Sequence, residues 1–221
     1  MAYTVKITDV LSLTHNVQQI TTEKPKNYSF KPGQATEVAI NKKGLEEEKR
    51  PFTFTSLPED KQLEFVIKTY HDHEGVTHEV DSLKEGDEII IGDAWGAIEY
   101  KGTGTFIAGG AGVTPFIAIF KNLEKNDEIG ENKLIFSNKK GDDVILESYF
   151  NDILGDNFIS TLTHQNIEGH ENKIVDMDFL KRHLENFTQH FYVCGPDAMV
   201  KDVSKHLEML GASPDGITFE K

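Results

Sequence analysis

Three short stretches combine residue types suited to holding an anionic ligand with a flat ring. Phe106 to Phe116 reads Phe-Ile-Ala-Gly-Gly-Ala-Gly-Val-Thr-Pro-Phe, an apolar run that meets Gly109, Gly110 and Gly112 before Thr114-Pro115. Glycines let the backbone turn sharply and bring bare N–H groups close to a ligand, and a helix starting there adds its positive dipole end. Thr114 is a favoured N-cap and Pro115 suits a first helical position, so strand, glycine turn and helix start make a phosphate cradle. Arg50-Pro51-Phe52-Thr53 sets a guanidinium fork, an aromatic face and a hydroxyl side by side. Cys194-Gly195-Pro196 puts the chain's one thiol just after the apolar run His190–Val193. No base lies near that thiol in sequence, which suits a polarisable wall of a pocket better than a covalent nucleophile.

Each stretch also has a plainer reading. The glycines would serve a tight strand-to-helix connection without a ligand, Arg50 would pair with Glu46, Glu47 or Glu48 on an edge strand, and Cys194 would be a buried structural residue.

The elements around these stretches change rhythm near Gly102. Up to about Lys101 the chain reads as short strands: Tyr3, Val5 and Ile7; Tyr28 and Phe30 before Pro32-Gly33; Val38 and Ile40; Phe52 and Phe54; Leu63 to Tyr70; and Glu88 to Ile91. About six strands at this spacing predict an antiparallel β-barrel or sandwich, with one short helix at Thr77–Leu83. Alternation sets Arg50, Phe52 and Phe54 on one face and Pro51 and Thr53 on the other. Beyond Gly102, strands at Thr105–Ala108, Lys133–Ser137, Phe158–Thr163, His190–Val193 and Ile217–Phe219 alternate with helices at Pro115–Glu124, Leu146–Leu154, Asp178–Asn186 and Asp197–Leu210. That alternation predicts right-handed crossovers and a doubly wound, parallel five-stranded α/β sheet. The expected domains are 1–101 and 102–221. The glycine run and the cysteine loop then share the rim where such sheets bind ligands.

Composition bounds the partners. Thirty-seven acidic residues against 23 basic ones give a net charge of −14, which disfavours nucleic acid and anionic membranes. A lone cysteine excludes internal disulfides, cysteine-rich zinc sites and a four-cysteine iron–sulfur cluster, so any such cluster would belong to another chain. No apolar run approaches the roughly 20 residues of a membrane span, and the N-terminus lacks signal-peptide features, so a cytoplasmic protein is expected.

The motifs together resemble the ferredoxin–NADP reductase family of flavoproteins. Arg50-Pro51-Phe52-Thr53 is similar to its Arg-x-Tyr-Ser flavin motif, Gly110 to Pro115 to its Gly-x-Gly-x-Thr-Pro nucleotide motif, and Cys194-Gly195-Pro196 to its Cys-Gly-Pro loop. Gly75-Val76-Thr77 resembles its Gly-x-x/Ser-Thr turn and Phe30-Lys31-Pro32-Gly33-Gln34 its entry strand. The resemblance spans almost the whole chain in the family's order. It implies an FAD-binding barrel (FMN being the alternative) followed by an NAD(P)-binding domain, with NADPH or NADH as co-substrate.

The resemblance also implies roles. Arg50 would bind the flavin pyrophosphate, Phe52 pack on the flavin, and Thr53 bond near its N5. Val66, Ile67 and Lys68 would line the same cofactor, and Gly75, Val76 and Thr77 would face its phosphates. Gly110, Gly112, Val113, Thr114 and Pro115 would hold the nicotinamide nucleotide, with Asn138 and Lys139 beyond the second strand. Cys194, Gly195 and Pro196 would flank the nicotinamide, and Glu220 would be the acidic residue near the flavin. Thr53, Cys194 and Glu220 are the expected catalytic groups. Hydride would pass from nicotinamide to flavin and then as single electrons to ferredoxin or flavodoxin, the protein acting as a monomer. The acceptor is expected to dock on a basic patch supplied in part by Lys24, Lys26 and Lys31. A free-flavin reductase and a non-catalytic nucleotide-binding regulatory subunit are the alternatives.

Three departures from the family pattern stand out. Phe52 and Thr53 replace tyrosine and serine, no C-terminal aromatic follows Glu220-Lys221, and Lys139-Lys140 stand where NADPH-using relatives often carry arginine. Lysines attract a 2′-phosphate as point charges without a fork, while Asp142 and Asp143 oppose them, so NADPH is only weakly favoured. His71, Asp72, His73 and His78 match no closed zinc pattern and read as a solvated loop, so no metal is expected. Trp95 is expected near the cofactor or at a domain interface.

Overall fold

The computed structural model describes residues 1–70, 75–96 and 98–219, which group into two compact units. One comprises Met1–Glu99 with Thr114–Asn122, the other Tyr100–Val113 with Leu123–Lys221.

The first unit is built from β1 (Tyr3–Thr14), β2 (Val17–Glu23), β3 (Ala35–Ile40), β4 (Arg50–Thr53), β5 (Gln62–Lys68), the one-turn helix α1 (Val76–Glu79) and β6 (Glu88–Ile91). The strands form one antiparallel sheet in the order β4-β3-β6-β1-β2-β5. A bridge between Phe54 and Phe65 joins its two ends, giving the expected barrel. Inward residues of alternating strands, among them Val5, Ile7, Ile20, Phe54, Phe65 and Ile89, fill the core. Phe54 anchors it: its ring stacks on Phe30 at 4.3 Å and meets Phe65 at 5.2 Å.

Two strand assignments trade places. Tyr28–Phe30 is not a strand; both side chains are buried, so their alternation reports core packing from a loop rather than ladder pairing. Val17–Glu23 is a full strand paired with both β1 and β5, although Gln18, Gln19, Thr21 and Thr22 hide its period, and the β1 register shifts between Ile7 and Asp9 and between Ser12 and Thr14. The helix expected at Thr77–Leu83 is the four-residue α1 followed by a tighter turn over Val80–Ser82.

The remaining elements are β7 (Gly104–Gly109), α2 (Thr114–Lys125), β8 (Lys133–Asn138), α3 (Glu147–Leu154), β9 (Phe158–Leu162), α4 (Met177–His183), β10 (His190–Cys194), α5 (Asp197–Met209) and β11 (Ile217–Phe219). All five strands are parallel, in the order β11-β10-β7-β8-β9. Ile107, Ile135, Phe191 and Val193 point to the face covered by Phe179 and Leu180 of α4 and Val203 and Leu207 of α5. The opposite face receives α3, whose Phe150 meets Phe136 edge-on at 6.4 Å. Both faces are therefore covered, as a doubly wound sheet requires.

The start of α2 differs from expectation. A tight helical turn over Gly110–Val113 precedes it, so Thr114 is the first α-helical residue rather than its cap, and Pro115 is the second. Proline is still tolerated because first-turn N–H groups lack intrahelical partners.

Candidate functional site

Chain order places the binding edge of the parallel sheet. From β7 the chain winds outward through β8 to β9, then returns to add β10 and β11 on the other side of β7. The winding reverses between β7 and β10, and a ligand binds beyond the carboxyl ends of such a pair. The loops leaving these two strands are the glycine run and Cys194-Gly195-Pro196, with Cys194 paired to Ala108 in register.

The two loops touch. A Cβ on Gly112 would lie 2.4 Å from the Cys194 carbonyl oxygen and 2.5 Å from the Gly195 nitrogen, so Gly112 is demanded by loop-to-loop packing. Gly110 differs: its φ is +52° and nothing lies within 4 Å of the position a Cβ would take. The plainer reading of the glycine run thus accounts for Gly112 and leaves Gly110 facing open space. Cys194 is buried, with 6% of its surface exposed.

Asn138 ends β8, the strand next to β7. Its residue is 5% exposed, and neither its amide nitrogen nor its amide oxygen has a hydrogen-bond partner among the described residues. Leaving such a buried amide unpaired costs about 1–3 kcal/mol per group, which a ligand offering donors and acceptors would recover. Its backbone carbonyl is engaged, accepting from the Thr163 backbone N–H at 2.9 Å. An open glycine turn beside an unpaired buried amide, on the rim of a winding reversal, fits a dinucleotide.

The loop after β8 is braced in a way the sequence did not signal. Gln165 Oε1 accepts from the Gly141 N–H at 2.9 Å, and Asp143 accepts from the Lys140 N–H at 3.1 Å. Asp143 therefore shapes the turn that presents the exposed Lys139 and Lys140.

The barrel presents the second group of candidates. β4 pairs with β3 through Thr36–Phe52 and Ala35–Thr53. Arg50 and Pro51 are exposed, Phe52 packs partly against the core, and Thr53 and Phe54 are both buried. Burial therefore rises along the strand instead of alternating as expected, because the strand enters the closed barrel at its Phe54 end. Val66 and Ile67 are buried on β5, and Lys68 is half-buried. The Arg50 guanidinium lies 3.6 Å from Glu48 and donates to the Lys49 carbonyl at 2.7 Å, which is the pairing the plainer reading expected. Both side chains are about half exposed (50% and 51%), and such surface pairs are worth roughly 0–1 kcal/mol. A bidentate phosphate contact exceeds that, so the fork can exchange Glu48 for a pyrophosphate. An exchangeable arginine, a half-buried ring and a buried hydroxyl on one short strand fit a flavin nucleotide.

Gly75 has φ +133° just before α1, and its carbonyl accepts from the His78 and Glu79 N–H groups at 3.1 Å. Glu220 lies outside the described residues, as do His71, Asp72 and His73; His78 pairs with Glu79 at 3.6 Å, and no metal-binding cluster occurs among the described residues. Trp95 is 43% exposed and its backbone bridges Ala35. Two of the lysines proposed for docking are engaged within the chain: Lys24 donates to the Pro58 carbonyl and lies over the Phe30 ring, and Lys31 pairs with Glu99 at 2.8 Å.

Comparison with known proteins classifies the two halves of the chain. A family model described as an FAD-binding domain matches residues 2–103, and one described as an oxidoreductase NAD-binding domain matches residues 106–205. The chain belongs to the ferredoxin–NADP reductase-like family of flavoproteins, with an FAD-binding barrel and an NAD-binding α/β domain. It is 24% identical over 217 residues to the ferredoxin–NAD(P)(+) reductase component of the naphthalene 1,2-dioxygenase system of Pseudomonas putida, covering 94% of this chain and 65% of the relative. It is 26% identical over 200 residues to NADH-cytochrome b5 reductase 2 of Mycosarcoma maydis, covering 79% of this chain and 56% of that protein. The chain thus spans about half to two thirds of these relatives' lengths. A ferredoxin NADP+ reductase from Neisseria gonorrhoeae with bound FAD and NADP has the same fold, with a TM-score of 0.86 at 21% identity over 99% of this chain and 98% of that one. No helix among the described residues is long and apolar enough to cross a membrane.

Proposed function

We propose that this protein is an NAD(P)H-dependent flavin oxidoreductase that feeds electrons to a one-electron carrier of the ferredoxin or flavodoxin type. The observation that carries the reading is the buried, unpaired Asn138 amide beside the open Gly110 turn, at the reversal of a sheet whose chain also supplies an FAD-binding barrel. A flavin held there would supply the chemistry of two-electron acceptance from a nicotinamide and one-electron return.

The chain's own residues bind, orient and exclude water. Arg50 would hold the flavin pyrophosphate with its fork, Phe52 would cover the ring system, and the Thr53 hydroxyl would fix its reactive edge. Val66, Ile67 and Lys68 would line it, and Gly75, Val76 and Thr77 would offer backbone N–H groups. Gly110, Gly112, Val113, Thr114 and Pro115 would cradle the dinucleotide phosphates, with Asn138 satisfying a polar group of the nucleotide and Lys139 adding positive charge at its margin. Cys194, on the tightly packed Gly195-Pro196 loop, would keep water from the nicotinamide. Glu220 is proposed as an acidic group near the flavin. The domains are proposed to meet near Gly102, as 1–101 and 102–221. Orientation of the reacting groups is the contribution to rate that these residues would supply.

Relatives that pass electrons to cytochrome b5 supply a second reading of the acceptor, a haem protein. The visible spectrum of the purified protein, before and after anaerobic NADH or NADPH, tests the proposal. Flavin absorbance that bleaches with either nucleotide supports it. A colourless protein that turns over added flavin identifies a free-flavin reductase, and bound flavin unresponsive to both nucleotides identifies a regulatory subunit.

A further inference from the structure

Thr114–Asn122 reads Thr-Pro-Phe-Ile-Ala-Ile-Phe-Lys-Asn, an apolar helical segment with one charge, Lys121. A lone lysine on such a helix ordinarily extends to solvent. Here it turns into the barrel. Lys121 Nζ donates to Glu64 Oε1 at 2.7 Å and to the Thr55 carbonyl at 2.9 Å. Glu64 Oε1 also accepts from the Thr55 hydroxyl at 2.7 Å, while the Thr55 N–H donates to the Glu64 carbonyl at 2.8 Å. The Lys121 and Glu64 side chains are only 29% and 19% exposed, so the pair is largely withdrawn from water and each charge depends on the other.

The position of this network in sequence gives it meaning. Thr55 lies two residues after Thr53, and Glu64 two residues before Val66. The Lys121–Glu64 ion pair and its hydrogen bonds to Thr55 thus tie α2 to β5 and to the segment just after β4, next to the flavin candidates. Its other end sits on α2, seven residues after Thr114, about two turns or roughly 10 Å along a rigid helix. Ile119 on the same helix adds a second anchor: its Cδ1 stands 3.3 Å from where a Cβ on Gly33 would be. Thr114–Asn122 groups with the barrel although the segment leaves the glycine turn, in keeping with these contacts.

The geometry points to Lys121 as a positioning residue that fixes the start of α2 against the Thr53 strand. It touches neither cofactor candidate; it acts through the helix, setting where the nucleotide-cradling residues Thr114 and Pro115 stand relative to Thr53. The inference rests on the oxidoreductase reading above.

The full-length, flavin-loaded protein tests it. Lys121→Met should slow nucleotide-driven flavin reduction in stopped flow by about tenfold, since small misplacements of reacting groups cost that much or more. Bound flavin and the nucleotide dissociation constant should stay within about twofold, because uniform binding is untouched. Lys121→Arg should restore the rate, and amide hydrogen exchange should rise at Thr114–Ile119 and at Phe54–Ser56 while the remaining strands stay protected. If Lys121→Met fails to fold, Glu64→Gln, which keeps shape and removes the charge, should show the same pattern at smaller amplitude. An unchanged rate with unchanged exchange overturns the inference, as does a slower rate matched by equal loss of flavin or nucleotide affinity. A wild-type protein that neither nucleotide reduces overturns the functional reading instead, and the exchange pattern then judges the positioning of α2 by itself.

Discussion

Gly112 lies directly against the backbone of Cys194: a methyl group there would stand 2.4 Å from the Cys194 carbonyl oxygen. The glycine loop and the cysteine loop, 82 residues apart in sequence, are one packed assembly at the reversal of the sheet. Placement of the thiol therefore depends on the absence of a side chain at Gly112, on the loop that leaves the neighbouring strand β7.

That contact separates two glycine substitutions. Gly112→Ala must push the cysteine loop aside and should cost about 1–3 kcal/mol, as overpacking does. Gly110→Ala meets no atom and suffers only its left-handed backbone, about 1 kcal/mol. Gly112→Ala should thus lower the melting temperature more. Gly110→Ala should weaken nucleotide binding in proportion to the backbone approach it blocks. Thermal melts with and without NADH or NADPH read both; equal melting losses would remove the packing role assigned to Gly112.

Thr53 and Cys194 are expected to act on rate more than on cofactor retention. Both are buried side chains at the ends of strands that packing holds in place. Thr53→Ala and Cys194→Ala should each lower nucleotide-driven flavin reduction by about tenfold or more while flavin content is retained. Stopped-flow reduction is the measurement, and rates unchanged in both variants would withdraw these assignments.

How much of this was legible in the sequence follows from where the signal is local. β7, the glycine turn and α2 declare themselves because apolar period, glycines and Thr-Pro fall within one short stretch. β2 did not, since a strand paired on both edges in a closed barrel can carry polar outward residues at nearly every other position. Tyr28 and Phe30 mimicked a strand because alternating burial and ladder pairing leave the same trace. The site divides likewise. Arg50, Gly110 and Cys194 could be nominated from motif order, whereas the unpaired state of Asn138 and the inward turn of Lys121 depend on long-range contacts that no local pattern encodes.

The acceptor should respond to salt in a way that its own charge decides. The chain carries −14, and Lys24 and Lys31 are held by partners within it, which leaves Lys26 of the three lysines nominated for docking. An acidic carrier such as a ferredoxin or flavodoxin should be reduced faster as ionic strength rises from about 10 to 150 mM, because the Debye length shortens from roughly 30 to 8 Å and repulsion is screened. A basic carrier should slow over the same range. Reduction rates of two carriers of opposite charge decide the matter; an acidic carrier that slows with salt would reveal a local basic patch.

His183 gives the α/β unit an acid-sensitive point. Burial pushes its imidazole below the ordinary value of 6.5; Glu171 opposes that shift, while Arg182 and Lys133 reinforce it. The unfolded chain therefore takes up a proton near pH 6.5 while the folded one still resists, so the stability this residue contributes is complete above that pH and falls away as pH drops through the lower folded value. His183→Gln should flatten the loss of melting temperature between pH 7 and more acidic buffers. Parallel melts of both proteins across that range test it, and identical pH profiles would show that the proton uptake lies elsewhere.

Tyr192 ties down the chain where the two domains are proposed to meet. Its ring is buried in a stack with Phe106 at 4.3 Å, and its hydroxyl donates to the Gly102 carbonyl at 2.7 Å while accepting from the Lys101 N–H at 2.8 Å. Burial raises its pKa, so the phenol stays neutral and keeps its proton for Gly102 throughout the physiological range. Tyr192→Phe retains the stack and releases the backbone of residues 101 and 102. Water can replace part of what is lost, because Lys101 is exposed and Gly102 half-buried, so the cost should be about 1 kcal/mol and the melting temperature should fall by roughly 2–4 °C. The more telling readout is proteolysis: local opening governs cleavage, so the variant should be nicked between Glu99 and Gly104 well before the wild type. A variant that melts earlier without new cleavage there would place the effect of the hydroxyl in the sheet and leave the proposed boundary near Gly102 without this support.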